Sequence, residues 1–182
     1  QEDDPDEIAF LAACTSRGVP VRRLAQGEGL TIEGATAQVL HPPADWSQAK
    51  KVNDASLVLR VAWPGFSVLF SGDIEAIGEY RLAQGDCAAQ ILKVPHHGSR
   101  TSSTETLLDA VAPQVAVVSA IERNRFIPMR PEVQERYDAR DIAVWRTDHH
   151  GAIRLRATAN SVTVESARQQ CGWLVGEVPG GE

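Results

Sequence analysis

The sequence contains no long apolar run, few cysteines and no leader-like opening, and each absence excludes a class of protein. No segment approaches the roughly 20 consecutive apolar residues that a membrane-spanning helix needs. The three cysteines, Cys14, Cys87 and Cys171, are far apart and form no C-x-x-C pair, which predicts free thiols rather than a disulfide framework. No charged segment followed by an apolar one opens the chain. We therefore expect the polypeptide to be soluble by itself, whatever it is attached to in the cell.

An excess of positive charge is missing as well. The chain carries 18 lysines and arginines against 24 aspartates and glutamates, a formal net charge of −6. This balance argues against broad, non-specific binding of nucleic acid through bulk charge, although it leaves room for a local basic strip or for metal ions that face phosphate. The 182 residues, 43% of them hydrophobic, are enough for one compact domain with a real core.

The pattern of apolar residues predicts a mixture of strand pairs and strand–helix alternation. Two apolar runs, residues 55–62 and 66–70, are joined by Pro64 and Gly65, as in a hairpin. Predicted helices cover residues 5–17, 73–84, 103–111 and 131–140, and further extended segments cover residues 20–24, 30–33, 37–40, 90–94, 114–119, 142–146, 152–156 and 161–165. The fold class is therefore α/β or mixed α+β, with helices packed on sheets. We predict one domain over residues 1–166 and a C-terminal extension over residues 167–182.

An aspartate at the end of an apolar strand is the first candidate for chemistry. Asp73 follows the run that ends in Phe70, Ser71 and Gly72, and ligands commonly bind where strands end. Gly72 lets the backbone turn tightly or approach a ligand closely. The alternative is that Asp73 caps a helix that starts at Ile74, which the sequence supports equally well.

A histidine pair, His96 and His97, directly follows the next apolar strand. Adjacent residues of an extended chain point to opposite sides, so one ring can face a metal while the other packs or forms hydrogen bonds. Neutral imidazole is the commonest metal ligand at neutral pH. Together with Asp73, some two dozen residues upstream at another strand end, the pair favours a metal site.

A loop rich in arginine follows the strand predicted at residues 114–119. Arg123, Arg125 and Arg130 can each bind phosphate with two hydrogen bonds, and Phe126 can stack on a base. The alternative is an ordinary solvated loop.

Three other polar segments have structural explanations that compete with functional ones. Asn53 and Asp54 stand just before a strand, where their ordinary role is to close the preceding loop. His149 and His150 fall in a predicted hairpin turn before Gly151. His41, followed by two prolines, is interpreted as a structural residue.

Five segments occur in an order that resembles a known family. They are Asn-Asp-x-Ser-Leu-Val-Leu, Ser-Gly-Asp, Leu-Lys-Val-Pro-His-His-Gly-Ser-x-Thr-Ser-Ser, Asn-Arg-Phe before Pro-Glu-Val, and Arg-Thr-Asp-x-x-Gly-Ala. In this combination they resemble the C-terminal part of the metallo-β-lactamase-like domain of the ComEC competence family, over about residues 8–165.

The resemblance implies an αββα sandwich attached to a DNA-uptake channel in the bacterial cytoplasmic membrane. It implies a metal-dependent phosphodiesterase or nuclease that degrades the strand that is not imported, with Mn²⁺ or Zn²⁺ as cofactor, single-stranded DNA as partner and the rest of the channel protein as a second partner. Asp73 matches a bridging metal ligand, and His96 and His97 match catalytic and metal-contacting histidines. The remaining residues that the resemblance implicates are Arg123, Arg125, Arg130, Ser99 and Thr101 as DNA-binding residues, and Asn53, Ser56, Gly72 and Gly98 as supporting residues.

Two departures from the family pattern weaken the expectation of catalysis. The main metal-binding signature, His-x-His-x-Asp-His, is absent, and Ile127-Pro128-Met129-Arg130 replaces the Gly-His-Pro-His of many members. The alternative is therefore a degenerate, non-catalytic module that guides or gates single-stranded DNA at the channel. A hydrolase of small esters or lactams is a weaker alternative, since a fold does not determine its function. Because the first half of the fold is expected to be missing, we also expect an uncovered sheet face and self-association.

We predict that this polypeptide alone does not hold two catalytic metal ions, because the family's main ligand cluster is absent from it. Calorimetric titration with Mn²⁺ and with Zn²⁺ measures the stoichiometry directly. Tight binding of two ions per chain would show the prediction to be wrong.

Overall fold

The computed structural model describes residues 4–44, 46, 51–120, 129–157, 162–168 and 173–175. The helices are α1 (Pro5–Ser16), α2 (Ala76–Leu82), α3 (Glu105–Val111), α4 (Pro131–Asp138) and α5 (Thr147–His150). The strands are β1 (Gly29–Ile32), β2 (Ala35–His41), β3 (Val58–Trp63), β4 (Phe66–Phe70), β5 (Ile91–Lys93), β6 (Val115–Val118), β7 (Ala143–Arg146), β8 (Ile153–Ala157), β9 (Val162–Ser166) and β10 (Trp173–Val175). A tight 3₁₀ turn lies at Val52–Ala55, and a turn with left-handed backbone angles lies at Pro95–Gly98.

Strands β1 to β7 form one mixed sheet in sequence order. The pairs from β1 to β4 are antiparallel, and the pairs from β4 to β7 are parallel. The predicted hairpin of β3 and β4 is confirmed, and its turn uses Gly65 at φ +90°, a value that glycine adopts without steric cost. Because β4 to β7 run in the same direction, their carboxyl ends all meet at one edge of the sheet.

Helices α2, α3 and α4 cover one face of this sheet. Leu69, Leu92 and Ala116 occupy neighbouring positions on β4, β5 and β6 and are fully buried. Leu107 of α3 and Val133 of α4 belong to the same buried cluster. Each fully buried aliphatic side chain contributes about 1.5–3 kcal/mol relative to exposure, so this cluster holds the parallel strands in register.

The opposite face of the main sheet packs against a second sheet of three strands, in the order β10, β9, β8. Val68, Ile91 and Val115 of the main sheet share a core with Val162 and Val164 of β9. The layer order is therefore helix, sheet, sheet, which confirms the predicted mixed α/β class. The segment predicted as extended at residues 161–165 is strand β9, and it pairs with β8 and β10 in the second sheet. Strand β10 lies within the segment that was predicted as a C-terminal extension.

On the face of the main sheet that packs against the second sheet, the part formed by β1 to β4 includes apolar side chains that are accessible to solvent. The cross-strand pairs place Ile32, Trp63 and Phe70 on the same face as Val68. These three side chains are 58%, 38% and 45% exposed. An apolar sheet surface of this kind tends to acquire a partner.

Several helix starts differ from the sequence-based expectation. Helix α1 begins as expected, since Asp4 Oδ1 accepts a hydrogen bond from the Asp6 N–H. Helix α2 begins at Ala76, three residues later than predicted. Helix α3 is capped by Thr104, whose hydroxyl accepts from the Leu107 N–H, and it begins at Glu105, two residues later than predicted. The predicted turn at His149 and His150 is the last part of α5.

The structural interpretation of His41 agrees with its position. Its side chain is 1% exposed, and Nε2 lies 2.7 Å from the carbonyl oxygen of Asp54. Burial lowers the pKa of His41, against the opposing effect of that carbonyl.

None of the helices in the described parts of the chain is long and apolar enough to cross a bilayer.

We expect the chain to self-associate through the exposed apolar surface of Ile32, Trp63 and Phe70. Multi-angle light scattering should show a mass that rises with protein concentration. The double variant Ile32→Thr, Phe70→Thr should lower that mass, since it removes apolar area from this face. Ile77→Thr is the matched control, because Ile77 is 43% exposed but lies on α2. A wild-type monomer at every concentration would contradict the expectation.

Candidate functional site

The carboxyl ends of four parallel strands bring together the candidate residues. Asp73 follows β4, His96 and His97 follow β5, and Ser119 follows β6. Thr147 follows β7, and its hydroxyl is 2.8 Å from both the N–H and the carbonyl oxygen of Ala120. That double contact joins the ends of β6 and β7 and fixes the chain next to Ser119.

Asp73 and His97 form the centre of this edge. His97 Nε2 lies 3.6 Å from Asp73 Oδ1, and His97 Nδ1 lies 2.7 Å from the carbonyl oxygen of Ser119. A carbonyl oxygen only accepts hydrogen bonds, so Nδ1 carries a proton, and in the neutral ring Nε2 presents a lone pair. Both side chains are about half exposed, at 42% and 53%. The pair is therefore open to a ligand and has one free imidazole nitrogen beside one carboxylate.

The backbone before Asp73 is fixed by close packing against the start of β3. The Asp73 N–H donates to Ser56 Oγ at 3.2 Å. Gly72 has φ +57°, and a Cβ at this position would lie 2.9 Å from Ser56 Cβ. Ser56 and Gly72 thus support the site sterically. The alternative role of Asp73 as a cap for a helix starting at Ile74 is wrong, because α2 begins only at Ala76.

A lysine that the sequence reasoning did not assign contacts the same carboxylate. Lys93 Nζ donates to the Gly72 carbonyl oxygen at 2.9 Å and lies 3.5 Å from Asp73 Oδ1. Burial lowers the pKa of Lys93, and the nearby Asp73 opposes that shift. The sequence feature that could have identified Lys93 is its position, as a charged residue at the end of an otherwise apolar strand.

The histidine pair is not extended, contrary to the expectation from sequence. His96 and His97 both adopt left-handed backbone angles, with φ 45° and 55°, and Gly98 follows at φ 80°. The His96 N–H donates to the Gly72 carbonyl oxygen at 3.2 Å, which closes the turn against β4. Such angles are uncommon outside glycine and cost about 1–3 kcal/mol each. The two rings still diverge, because they face different carboxylates.

The carboxylate of Glu75 lies next to the ring of His96. Its Oε1 lies 3.4 Å from His96 Nδ1, and Asn53 Nδ2 and Lys51 Nζ donate to its two oxygens at 3.1 and 2.5 Å. Burial raises the pKa of Glu75, but the hydrogen bonds of Lys51 and Asn53 outweigh it, so the net shift is downward. Asn53 therefore contacts the site through Glu75 and does more than close a loop. Glu75 was missed because its partners are distant in sequence.

The segment after the histidines is packed against the start of α4. The Arg130 N–H donates to the Gly98 carbonyl oxygen at 3.1 Å, and a Cβ on Gly98 would lie 2.7 Å from Met129 Cγ. The hydroxyl groups of Ser99 and Thr101 are 3.1 Å apart in the same segment. Ser99 and Thr101 thus follow the histidine pair closely along the chain, and Arg130 is joined to the same segment through Gly98. Arg123 and Arg125 lie outside the described residues.

His149 and His150 make local contacts. The Arg146 N–H donates to His150 Nδ1 at 2.9 Å, and His149 Nε2 lies 3.9 Å from Asp148 Oδ2. Arg146 also pairs with Asp148 at 2.6 Å, and this hydrogen bond lowers the pKa of Asp148.

The residues at the edge fit one side of a metal shell without completing it. Asp73 Oδ1 and His97 Nε2 supply an oxygen and a nitrogen donor of the types that Mn²⁺ and Zn²⁺ accept. A protein site for such an ion ordinarily has three or four protein ligands. In the described ranges, no group of three histidines, cysteines or acids is placed to hold a metal, and the Lys93 ammonium lies beside Asp73. The described residues by themselves therefore do not complete such a metal site.

Comparison with known proteins gives the family. The chain is 32% identical over 155 residues to ComE operon protein 3 of Bacillus subtilis, covering 84% of this chain and 20% of that protein. It is 34% identical over 141 residues to competence protein ComA of Neisseria gonorrhoeae, covering 75% of this chain and 20% of that protein. The chain belongs to the ComEC family of competence proteins. It spans about a fifth of the length of these relatives.

Two other comparisons add no information about the family. No protein-family model matches the chain. A crystal structure from Parabacteroides distasonis, provisionally described as a metal-dependent hydrolase, is similar with a TM-score of 0.47 at 14% identity, covering 74% of this chain and 60% of that one.

Replacement of Gly72 by alanine should lower the free energy of unfolding by about 2–5 kcal/mol. The left-handed angle costs a side chain about 1–2 kcal/mol, and the overlap with Ser56 adds about 1–3 kcal/mol of overpacking. Denaturant-induced unfolding measures the loss.

Gly34→Ala is the matched control for this experiment. Gly34 has φ +85°, yet a Cβ there would meet nothing within 4 Å. This variant should lose only the backbone contribution of about 1–2 kcal/mol. Equal losses for the two variants would mean that the approach to Ser56 is not tight.

Proposed function

We propose that this chain forms part of a metal-dependent nuclease within a DNA-uptake protein, where it acts on the DNA strand that is not imported. The observation that carries the proposal is the Asp73–His97 pair, with a carboxylate oxygen 3.6 Å from an imidazole nitrogen that is free to accept. The family to which the chain belongs is named for competence, which makes incoming DNA the natural substrate.

The roles of the residues in this proposal follow from their contacts. Asp73 and His97 are the catalytic and metal-binding residues that the described edge supplies. A bound divalent ion would polarise a phosphate and activate water. Ser119, Ser56 and Gly72 fix the orientation of the two side chains.

Basic groups of this chain are proposed to bind the DNA backbone next to that centre. Lys93 is held at the edge by the Gly72 carbonyl oxygen, and Arg130 directly precedes α4 and is bonded to Gly98. Ser99 and Thr101 add hydroxyl groups in the same segment. Arg123 and Arg125 complete the proposed set from sequence alone.

A non-catalytic module that guides single-stranded DNA is the second candidate. Lys93 favours it, because an ammonium group 3.5 Å from Asp73 can attract phosphate without any metal. Arg130 favours it too: it stands where many family members have the second histidine of Gly-His-Pro-His, and an arginine is not a metal ligand.

The parent protein is proposed to lie in the bacterial cytoplasmic membrane. The described residues hold no helix that could span it, and the chain spans about a fifth of its relatives. The rest of the parent polypeptide is therefore the proposed anchor and a proposed partner.

The test is cleavage of single-stranded DNA by the complete soluble domain of the parent protein, with and without Mn²⁺ or Zn²⁺. The nuclease proposal predicts metal-dependent cleavage that Asp73→Asn reduces about 100-fold or more, since it removes a metal ligand. Asp86→Asn is the control, because Asp86 is an exposed acid that pairs with Arg60, and it should leave cleavage unchanged.

Binding of the same DNA in chelator separates the two candidates. Binding that persists in chelator and weakens with salt, together with no cleavage in any metal, would replace the nuclease proposal by the guiding module. Loss of binding in chelator, together with cleavage in metal, supports the nuclease.

A further inference from the structure

His96 contains a buried ring nitrogen that lacks a well-formed hydrogen bond. Nδ1 is buried and makes no standard hydrogen bond, although Glu75 Oε1 lies 3.4 Å away. The side chain as a whole is 31% exposed, so its exposed surface belongs to other atoms of the ring. A buried polar atom of this kind needs a partner, because leaving it unsatisfied costs about 1–3 kcal/mol.

Glu75 is built to be that partner. The residue is 7% exposed, and Lys51 and Asn53 hold its two oxygens from the turn that precedes β3. These two donors, one of them a cation, stabilise the ionised carboxylate. An ionised carboxylate only accepts hydrogen bonds, so the nitrogen that faces it has to be the protonated one.

The backbone leaves the ring of His96 little freedom. His96 is in the left-handed region, and its N–H is bound to the Gly72 carbonyl oxygen at 3.2 Å. Strained backbone of this kind persists where the surrounding structure determines it and is concentrated at functional sites. The backbone of the turn thus determines the position of the His96 ring. The hydrogen bonds from Asn53 and Lys51 determine the position of the Glu75 carboxylate that faces it.

We propose that Glu75 is a positioning residue that holds His96 as the Nδ1–H tautomer, with Nε2 as its free nitrogen. Ser119 does the same for His97 through its carbonyl oxygen, 2.7 Å from Nδ1. Both adjacent imidazoles then offer the same ring nitrogen, Nε2, although they are held by different acceptors. The inference deepens the proposed function and rests on it for its chemical meaning, since two unprotonated Nε2 atoms are of the type that ligates a metal ion.

The tautomers can be read directly by NMR. Long-range ¹H–¹⁵N correlation spectra of protein labelled with ¹⁵N-histidine distinguish protonated from unprotonated ring nitrogens, and single histidine-to-glutamine variants assign the signals. The spectra are recorded without metal or DNA at alkaline pH, where neutral imidazoles predominate. We expect His96 and His97 both to carry the proton on Nδ1. His96 protonated on Nε2 in the wild-type protein would overturn the proposal without any variant.

The variant Glu75→Gln tests whether Glu75 is the residue that holds the Nδ1–H tautomer of His96. The glutamine amide can either accept from Nδ1–H or donate to a bare Nδ1, so the Nδ1–H share of His96 should fall clearly, while His97 stays unchanged as the internal reference. Glu132→Gln is the matched control, since Glu132 is an exposed acid bound to Arg100, and it should alter neither ring. An unchanged His96 in Glu75→Gln, or an equal change in Glu132→Gln, would overturn the proposal. Neither readout involves cleavage, so a failed nuclease assay leaves it standing.

Discussion

The parallel pairing of β4, β5 and β6 is the constraint on which the rest of the site depends. Leu69, Leu92 and Ala116 lie side by side in the buried core under the helices. Their register determines where each strand ends, and therefore how far apart Asp73 and His97 stand. A shift of one residue in any strand would turn every side chain to the other face of the sheet. The chemistry at the edge is thus specified by packing several residues away from it.

The charged side chains at this edge form two neighbouring layers of acid–base contacts, one at the surface around Asp73 and one deeper around Glu75. Asp73 contacts Lys93 and His97, and both contacts involve the same oxygen atom, Oδ1. Deeper in the structure, Glu75 is balanced by Lys51 and faces His96. An acid with a basic partner is present in each layer, so the edge can hold carboxylates close together without the cost of unpaired buried charge. The outer layer is the one that solvent and ligands reach.

Sequence reasoning located the strand ends correctly and misjudged the conformations that join them. Asp73 and His97 were predicted from polar residues that follow apolar runs, and the structure brings them together. The left-handed turn at the histidines was not predicted, because local propensity disfavours it and contacts with distant segments, such as Gly72 and Ser119, compensate. Glu75 was not predicted, because nothing along the chain connects it to Lys51, more than twenty residues away.

The sequence by itself determined the alternation of strands and helices, the mixed fold class and the residue types at the strand ends, since these follow from local periodicity and turn chemistry. Only the tertiary structure decided which ring faces which carboxylate, that β9 joins a second sheet and that Lys93 reaches Asp73. Those outcomes depend on contacts between segments that are distant along the chain, and such contacts are selected by the burial of a shared core. The physical reason is that periodicity acts over a few residues, whereas packing acts across the whole domain.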